Sequence, residues 1–139
     1  MPDATTLLTI NLTATWYMVG LIWFVQLVHY PQFRSIAADR WAQFHRSHTT
    51  LTTVAVAPAM LIELVAAILL LVAQPGAVSI VLLILVILIW LSTAAIQIPM
   101  HNLLSHGFNP ATHRKLLRSN WIRTILWTTR GLLVAGSTS

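Results

Sequence analysis

The sequence predicts an all-α fold: a four-transmembrane-helix bundle with an amphipathic interfacial helix between the first and second spans. Three observations carry this expectation. Hydrophobic residues make up 57% of the 139-residue chain and charged residues only 8%. Soluble domains run near ~45–50% and ~25%, so lipid is the expected solvent. Four windows supply the ~20 mostly apolar residues that a helical crossing needs. The basic residues fall in short blocks beside apolar runs, the pattern of cytoplasmic loops and not of a nucleic-acid surface. The whole chain, 1–139, reads as a single integral membrane domain. Its lack of cysteine excludes disulfides, thiolate metal sites and dithiol redox chemistry.

The first span is expected at about 6–29, closed by Tyr30-Pro31, where proline ends a helix. With no basic leader and no small-residue cleavage signal, it reads as a retained helix and not a secretory signal. From Phe33 to His48 the apolar residues Phe33, Ile36, Ala37, Trp41 and Phe44 recur at helical spacing, with Arg34, Asp39, Arg40 and Arg46 between them. That pattern predicts a helix lying on the membrane surface. The second span is placed at about 49–73 and ends at the turn Gln74-Pro75-Gly76. Pro58 is expected to kink it and free the Val54 carbonyl. The third, at about 77–100, is the most apolar, and the fourth is placed at about 116–136. Between them Gly107 suits a helix C-terminus, Asn109 an N-cap and Pro110 a first turn.

Arg34, Arg40 and Arg46 lie in the first connection, and Arg114, Lys115 and Arg118 in the third. The positive-inside rule puts both on the cytoplasmic side and both termini outside, in a multi-pass protein of a bacterial-type inner (plasma) membrane. All six histidines then fall at or near the cytoplasmic face.

Two ionisable residues lie inside the spans, Glu63 and Arg130. At a helix centre each costs roughly 2.5–3.5 kcal/mol on insertion scales, so each needs a partner. Counted from the cytoplasmic helix ends they sit about 20 and 17 Å deep, which predicts an intramembrane ion pair. Its role is either to fix helix register or to take part in function. His113, Asn120, Arg123, Trp127 and Arg130 share one face of the fourth helix, and Thr93, Gln97 and His101 one face of the third. Trp23, Gln26 and His29 or Tyr30 do the same on the first. These stripes predict a polar cavity in the cytoplasmic half, with Glu63 and Arg130 as its floor.

Two chemistries fit such a cavity. His29, His48 and His101 stand near helix ends at one level and would hold a metal, with iron or copper the natural choices for imidazole ligands. Haem ligation by paired histidines is the lesser alternative. Only three acids occur in the chain, which disfavours a dinuclear carboxylate site. Arg123 beside Asn120 favours instead an anionic or carbonyl-bearing organic ligand, with Tyr30, Gln97, Asn102 and Trp127 as further contacts. The expected catalytic set is His29, His101 and Arg123, with one histidine acting as base if none binds metal.

The elements Pro99-x-x-Asn102 and Asn120-Trp-x-Arg123-Thr124, with the first-helix exit His29-Tyr-Pro-Gln-Phe33, resemble the anthrone oxygenase-like family of small four-helix membrane proteins. The resemblance covers most of the chain in layout. It implies an oxygenase-like oxidation of polyketide-type aromatics, with Pro99, Asn102, Asn120, Arg123 and Thr124 as the matching positions. The chain is richer in histidine than that pattern, which keeps a metal-using mechanism open. The leading expectation is therefore a membrane oxidoreductase acting on a lipophilic small molecule. The alternatives are a transporter or proton-coupled carrier using Glu63 and Arg130, and a structural membrane subunit. The expected partners are the lipid bilayer and that small molecule. Four short helices enclose little space, so a homo-oligomer is compatible, although no motif specifies one.

Overall fold

In a computed structural model, which describes residues 2–137, the chain is all-α and folds into four long helical rods. The first comprises α1 (Ala4–Phe24), a π-helical turn (Val25–His29) and α2 (Tyr30–Gln32). The second is α3 (Trp41–Ala73), and the third comprises α4 (Ala77–Ser92), a π turn (Thr93–Gln97) and α5 (Ile98–Leu104). The fourth is α6 (Pro110–Ser137). Around the bundle the neighbours are α1 with α3, α3 with α4, α4 with α6, and α6 with α1. Hence α3 and α6 face each other across the diagonal. The first three rods are long and apolar enough to cross a membrane by length and composition.

The surface supports contact with lipid. Leu51, Val54, Val65, Val72, Leu91, Ile125 and Leu132 are all exposed, far more apolar surface than water tolerates in one band. Inside, Leu7, Leu70, Leu82 and Val134 pack the end that holds the termini. A larger aromatic core around Phe33, Trp41, Leu104 and Trp127 packs the other end.

Local sequence explains the rod ends. Asp3 caps α1, its carboxylate accepting the Thr6 backbone N–H at 2.7 Å. That bond holds the Asp3 carboxyl below its ordinary range. Asn109 Oδ1 accepts the N–H groups of Ala111 and Thr112 at 2.9 and 3.0 Å and so starts α6. Gly107 supplies the φ of +144° that the tight turn between the third and fourth rods requires.

Two expectations are corrected. The first helix does not stop at Tyr30-Pro31. The Val25–His29 turn widens, with the Tyr30 N–H reaching the Val25 carbonyl, and the helical path continues to Ser35. A wide turn absorbs the missing proline N–H and the ring's steric demand. Thr93–Gln97 does the same ahead of Pro99, with the Ile98 N–H reaching the Thr93 carbonyl. Nor does an interfacial helix run from Phe33 to His48. Phe33–Ser35 and Ala38–Arg40 are short 3₁₀ turns, Ile36 and Ala37 are extended, and Trp41 to His48 form the first turns of α3. The chain must reverse direction here, and one continuous helix cannot reverse. Trp41 fixes the new start by donating its indole N–H to the Leu104 carbonyl at 2.8 Å. Pro58 lies inside α3 without ending it. The nearby carbonyl with an outside partner is that of Ala55, which accepts the Tyr17 hydroxyl at 3.1 Å.

Helix α6 packs closely against α1 at Gly131, where an added Cβ would lie 3.2 Å from Val19 Cγ2. Gly131→Leu should lower stability by about 1–3 kcal/mol through overpacking, read by unfolding in mixed micelles. Gly20→Leu, where a Cβ would meet nothing within 4 Å, should stay within about 0.5 kcal/mol of wild type.

Candidate functional site

A cavity of about 340 Å³ lies between the four rods. The first rod gives it Met18, Ile22 and Tyr30, and α3 gives His48, Thr52, Val56 and Met60. The third rod adds Trp90, Thr93, Gln97 and His101, and α6 adds Arg123 and Trp127. The walls are mainly apolar, with the polar groups gathered toward the end that bears the basic connections. Thr53, Ile98 and Asn102 belong to the wall and are exposed, so the cavity opens on the side of the bundle between α3 and the third rod.

The two π turns position this site. Each carries a buried glutamine, Gln26 and Gln97, and both grip α6. Gln26 accepts Asn120 Nδ2 at 2.9 Å and donates to the Leu117 carbonyl at 3.3 Å. Gln97 accepts the Ser92 hydroxyl and donates to the Ser119 hydroxyl, each at 3.3 Å. With its amide fixed, Asn120 turns its oxygen to Arg123, whose Nε donates to it at 3.0 Å and whose Nη2 donates to it as well.

From Arg123 a chain of polar contacts runs toward the helix ends. Arg123 Nη2 donates to the Tyr30 hydroxyl at 3.4 Å, and that hydroxyl lies 3.0 Å from His101 Nε2. His101 Nδ1 lies 3.3 Å from His45 Nε2. The proton order follows from donor capacity. Arginine only donates, which frees the Tyr30 proton for His101 Nε2 and leaves the His101 proton on Nδ1, toward His45. Beside this chain His29 Nε2 stands 2.7 Å from His48 Nδ1, which also meets the Thr52 hydroxyl at 3.1 Å. The His48 ring lies 5.1 Å from that of His101, and fully buried Phe33 packs edge-on against His48 at 4.9 Å.

Of the residues singled out from the sequence, Tyr30, His48, Gln97, His101, Asn102, Arg123 and Trp127 line the cavity. Asn120 is fully buried and acts on Arg123 from outside the wall. His29 is half-buried and joins the cluster through its nitrogen contact with His48, its ring also packing near Tyr30. Gln26 binds α6. Trp23 is exposed and donates to Thr128 at 3.1 Å. His113 Nε2 donates to the Tyr30 carbonyl at 2.8 Å and packs on Phe33. Among the described residues no group of three or more histidine and acidic side chains is set to hold a metal ion. The imidazoles His29, His48, His101 and His45 are gathered together, but their nitrogens face each other in pairs.

Glu63 and Arg130 are fully buried and meet across the bundle diagonal, Arg130 Nη1 lying 3.8 Å from Glu63 Oε1. Thr15 donates to Glu63 Oε1 at 2.7 Å, and Trp127 Nε1 donates to Oε2 at 3.0 Å. Arg130 donates in turn to Thr15 at 2.7 Å and to Asn11 at 2.6 Å. The pair does not floor the cavity, since neither residue lines it; Trp127 belongs to the wall and also binds Glu63. Asn11 and Thr15, absent from the sequence-based site, stand at i, i+4 on the first helix, a spacing that marks a shared polar face.

Compared with protein-family models, with curated proteins and with solved structures, the chain matches none. Its own geometry defines an all-α four-helix protein with a membrane-candidate surface and several buried histidines beside an inter-helix cavity.

Proposed function

We propose that this is a four-span membrane oxidoreductase of the oxygenase type, acting on a lipophilic small molecule in the inter-helix cavity. The observation that carries the reading is the contact chain Arg123–Tyr30–His101 on the wall of an otherwise apolar cavity. Fixed donors aimed at one place stabilise charge that develops on a substrate oxygen, and exclusion of water strengthens them. A substrate carbonyl placed at Arg123 becomes an enolate or phenolate oxygen when the substrate loses a proton to the neighbouring Tyr30. That proton passes to the Tyr30 oxygen while the tyrosine proton moves to His101 Nε2. The resemblance to the anthrone oxygenase-like family suggests the rest of the reaction. Dioxygen attacks the resulting carbanion, one oxygen atom becomes a new carbonyl, and the other leaves as water with the two hydrogens of the original methylene.

In this reading α6 also spans the bilayer, with Ile122, Ile125, Leu132 and Leu133 toward lipid and Arg123 and Arg130 turned inward. The positive-inside rule places the two basic connections in the cytoplasm and the termini outside. The carrier alternative finds less support, because Glu63 and Arg130 are held by several partners and neither lines the cavity.

The test is dioxygen uptake by the purified protein in liposomes supplied with 1,8-dihydroxy-9-anthrone. Uptake should exceed that of empty liposomes, and His101→Gln should lower the catalysed rate by about 10²–10⁴-fold. A rate equal to the empty-liposome background, or a fully active His101→Gln variant, would remove the oxygenase reading.

A further inference from the structure

We infer that the cavity takes its ligand as an anion: a lipophilic acid whose carboxylate, phenolate or enolate neutralises Arg123. The inference starts from a charge inventory. The chain has three acidic side chains, Asp3, Asp39 and Glu63. Asp3 caps α1 in an exposed position, and Asp39 lies exposed in the first connection. Glu63 is committed to Arg130, the one salt bridge among the described residues. Arg123 is 7% exposed and therefore has no side-chain carboxylate anywhere in the chain to balance it. Its partners, the Asn120 amide oxygen and the Tyr30 hydroxyl, are neutral acceptors. A buried guanidinium without a counter-charge is costly in a low-dielectric interior.

The surroundings supply the place for the missing charge. Arg123 lines the cavity, so an anion lodged there reaches it without displacing protein. Trp90 is part of the same wall and adds an aromatic surface to it. A cation without a carboxylate partner thus borders a space that a ligand can enter. The remaining wall, Met18, Ile22, Val56 and Met60, is apolar and suits a hydrocarbon body. The ligand is thus an amphiphile with one acidic head, and the side opening between α3 and the third rod lets it arrive from the membrane.

This inference rests on the reading that the cavity binds a lipophilic molecule, but not on that molecule being oxidised. The closing experiment therefore measures binding alone. Anthracene-9-carboxylate and 9-anthracenemethanol share a fluorescent apolar body and differ in the charge of the head. Titrated into protein held in a neutral detergent, the carboxylate should bind about 10- to 100-fold more tightly, the range expected for a charged hydrogen-bonded pair. Arg123→Gln should abolish that preference, and Arg118→Gln, a substitution in the basic end of α6, should leave it intact. If Arg123→Gln does not fold, Thr53→Trp at the exposed rim provides the second probe and should weaken both ligands together. Equal binding of the two probes by wild type, binding of neither, a preference that survives Arg123→Gln, or binding indifferent to Thr53→Trp would each overturn the inference. Selective binding of the acid without dioxygen uptake on the anthrone would keep it and remove the oxygenase reading; uptake without acid preference would do the reverse.

Discussion

Glu63→Ala should cost about 3–5 kcal/mol of stability, measured by reversible unfolding in mixed micelles, because it leaves Arg130 buried and unpaired. Arg130→Ala should cost a similar amount, stranding the carboxylate in the same way. The double variant should lose less than the sum of the two, with a coupling of roughly 0.5–3 kcal/mol. The physical reason lies in where the pair sits. Both side chains have zero exposure, and α3 and α6 stand across the bundle diagonal, where the pair and the Trp127–Glu63 hydrogen bond tie those two rods together. Thr15 serves both charges, donating to Glu63 and accepting from Arg130, which brings α1 into the same network. The pair therefore fixes the relative rotation of three rods. Losses that add to within about 0.3–0.5 kcal/mol would mean that the two charges act independently.

Much of this arrangement is legible in the sequence, for identifiable reasons. Four apolar windows bounded by Pro, Gly and basic residues mark four rods, because length and turn chemistry are local properties. Glu63 and Arg130 can be paired from sequence because each is unaffordable alone in an apolar span and their depths match. His48, His101, Tyr30 and Arg123 lie near helix ends of equal height, so a bundle of alternating direction brings them to one level. The opposite failures are equally physical. Periodicity from Phe33 to His48 fits a helix and is blind to the reversal at Ile36 and Ala37, which is imposed by the need to pair α1 with α3. Proline at position 31 reads as a stop, whereas a packed bundle lets a wide turn carry the helix past it. The two wide turns set Gln26 and Gln97 on α6, a consequence that no helical wheel drawn at a uniform period contains. His45 joins the cluster because α3 begins at Trp41 and not at Thr49. Asn120 has the right chemistry but the wrong distance; its part in the site is to hold Arg123.

Trp127 joins the structural pair to the cavity, and its substitutions should separate the two. The side chain is fully buried. Its indole N–H donates to Glu63 at 3.0 Å, and the Arg123 Cζ lies 5.9 Å from its ring centroid. Trp127→Phe removes the N–H and retains an aromatic face. It should lower stability by about 1–3 kcal/mol, since one carboxylate oxygen loses a buried donor. Arg123 still has a ring beneath it in that variant, so the preference for anthracene-9-carboxylate should persist. Trp127→Ala removes the whole ring, leaves a cavity at the centre of the bundle and should cost about 3–5 kcal/mol. It also deprives Arg123 of a cation–π contact, worth ~2 kcal/mol when desolvated, and widens the pocket floor, so both probes should bind more weakly. A Trp127→Phe variant as stable as wild type would show that the indole–Glu63 bond contributes nothing. A Trp127→Phe variant that loses the acid preference would instead make the indole N–H, and not the aromatic face, the feature that orients Arg123. The two substitutions thus assign one tryptophan's two faces separately: the edge to the ion pair that fixes the bundle, and the ring to the guanidinium that charges the cavity.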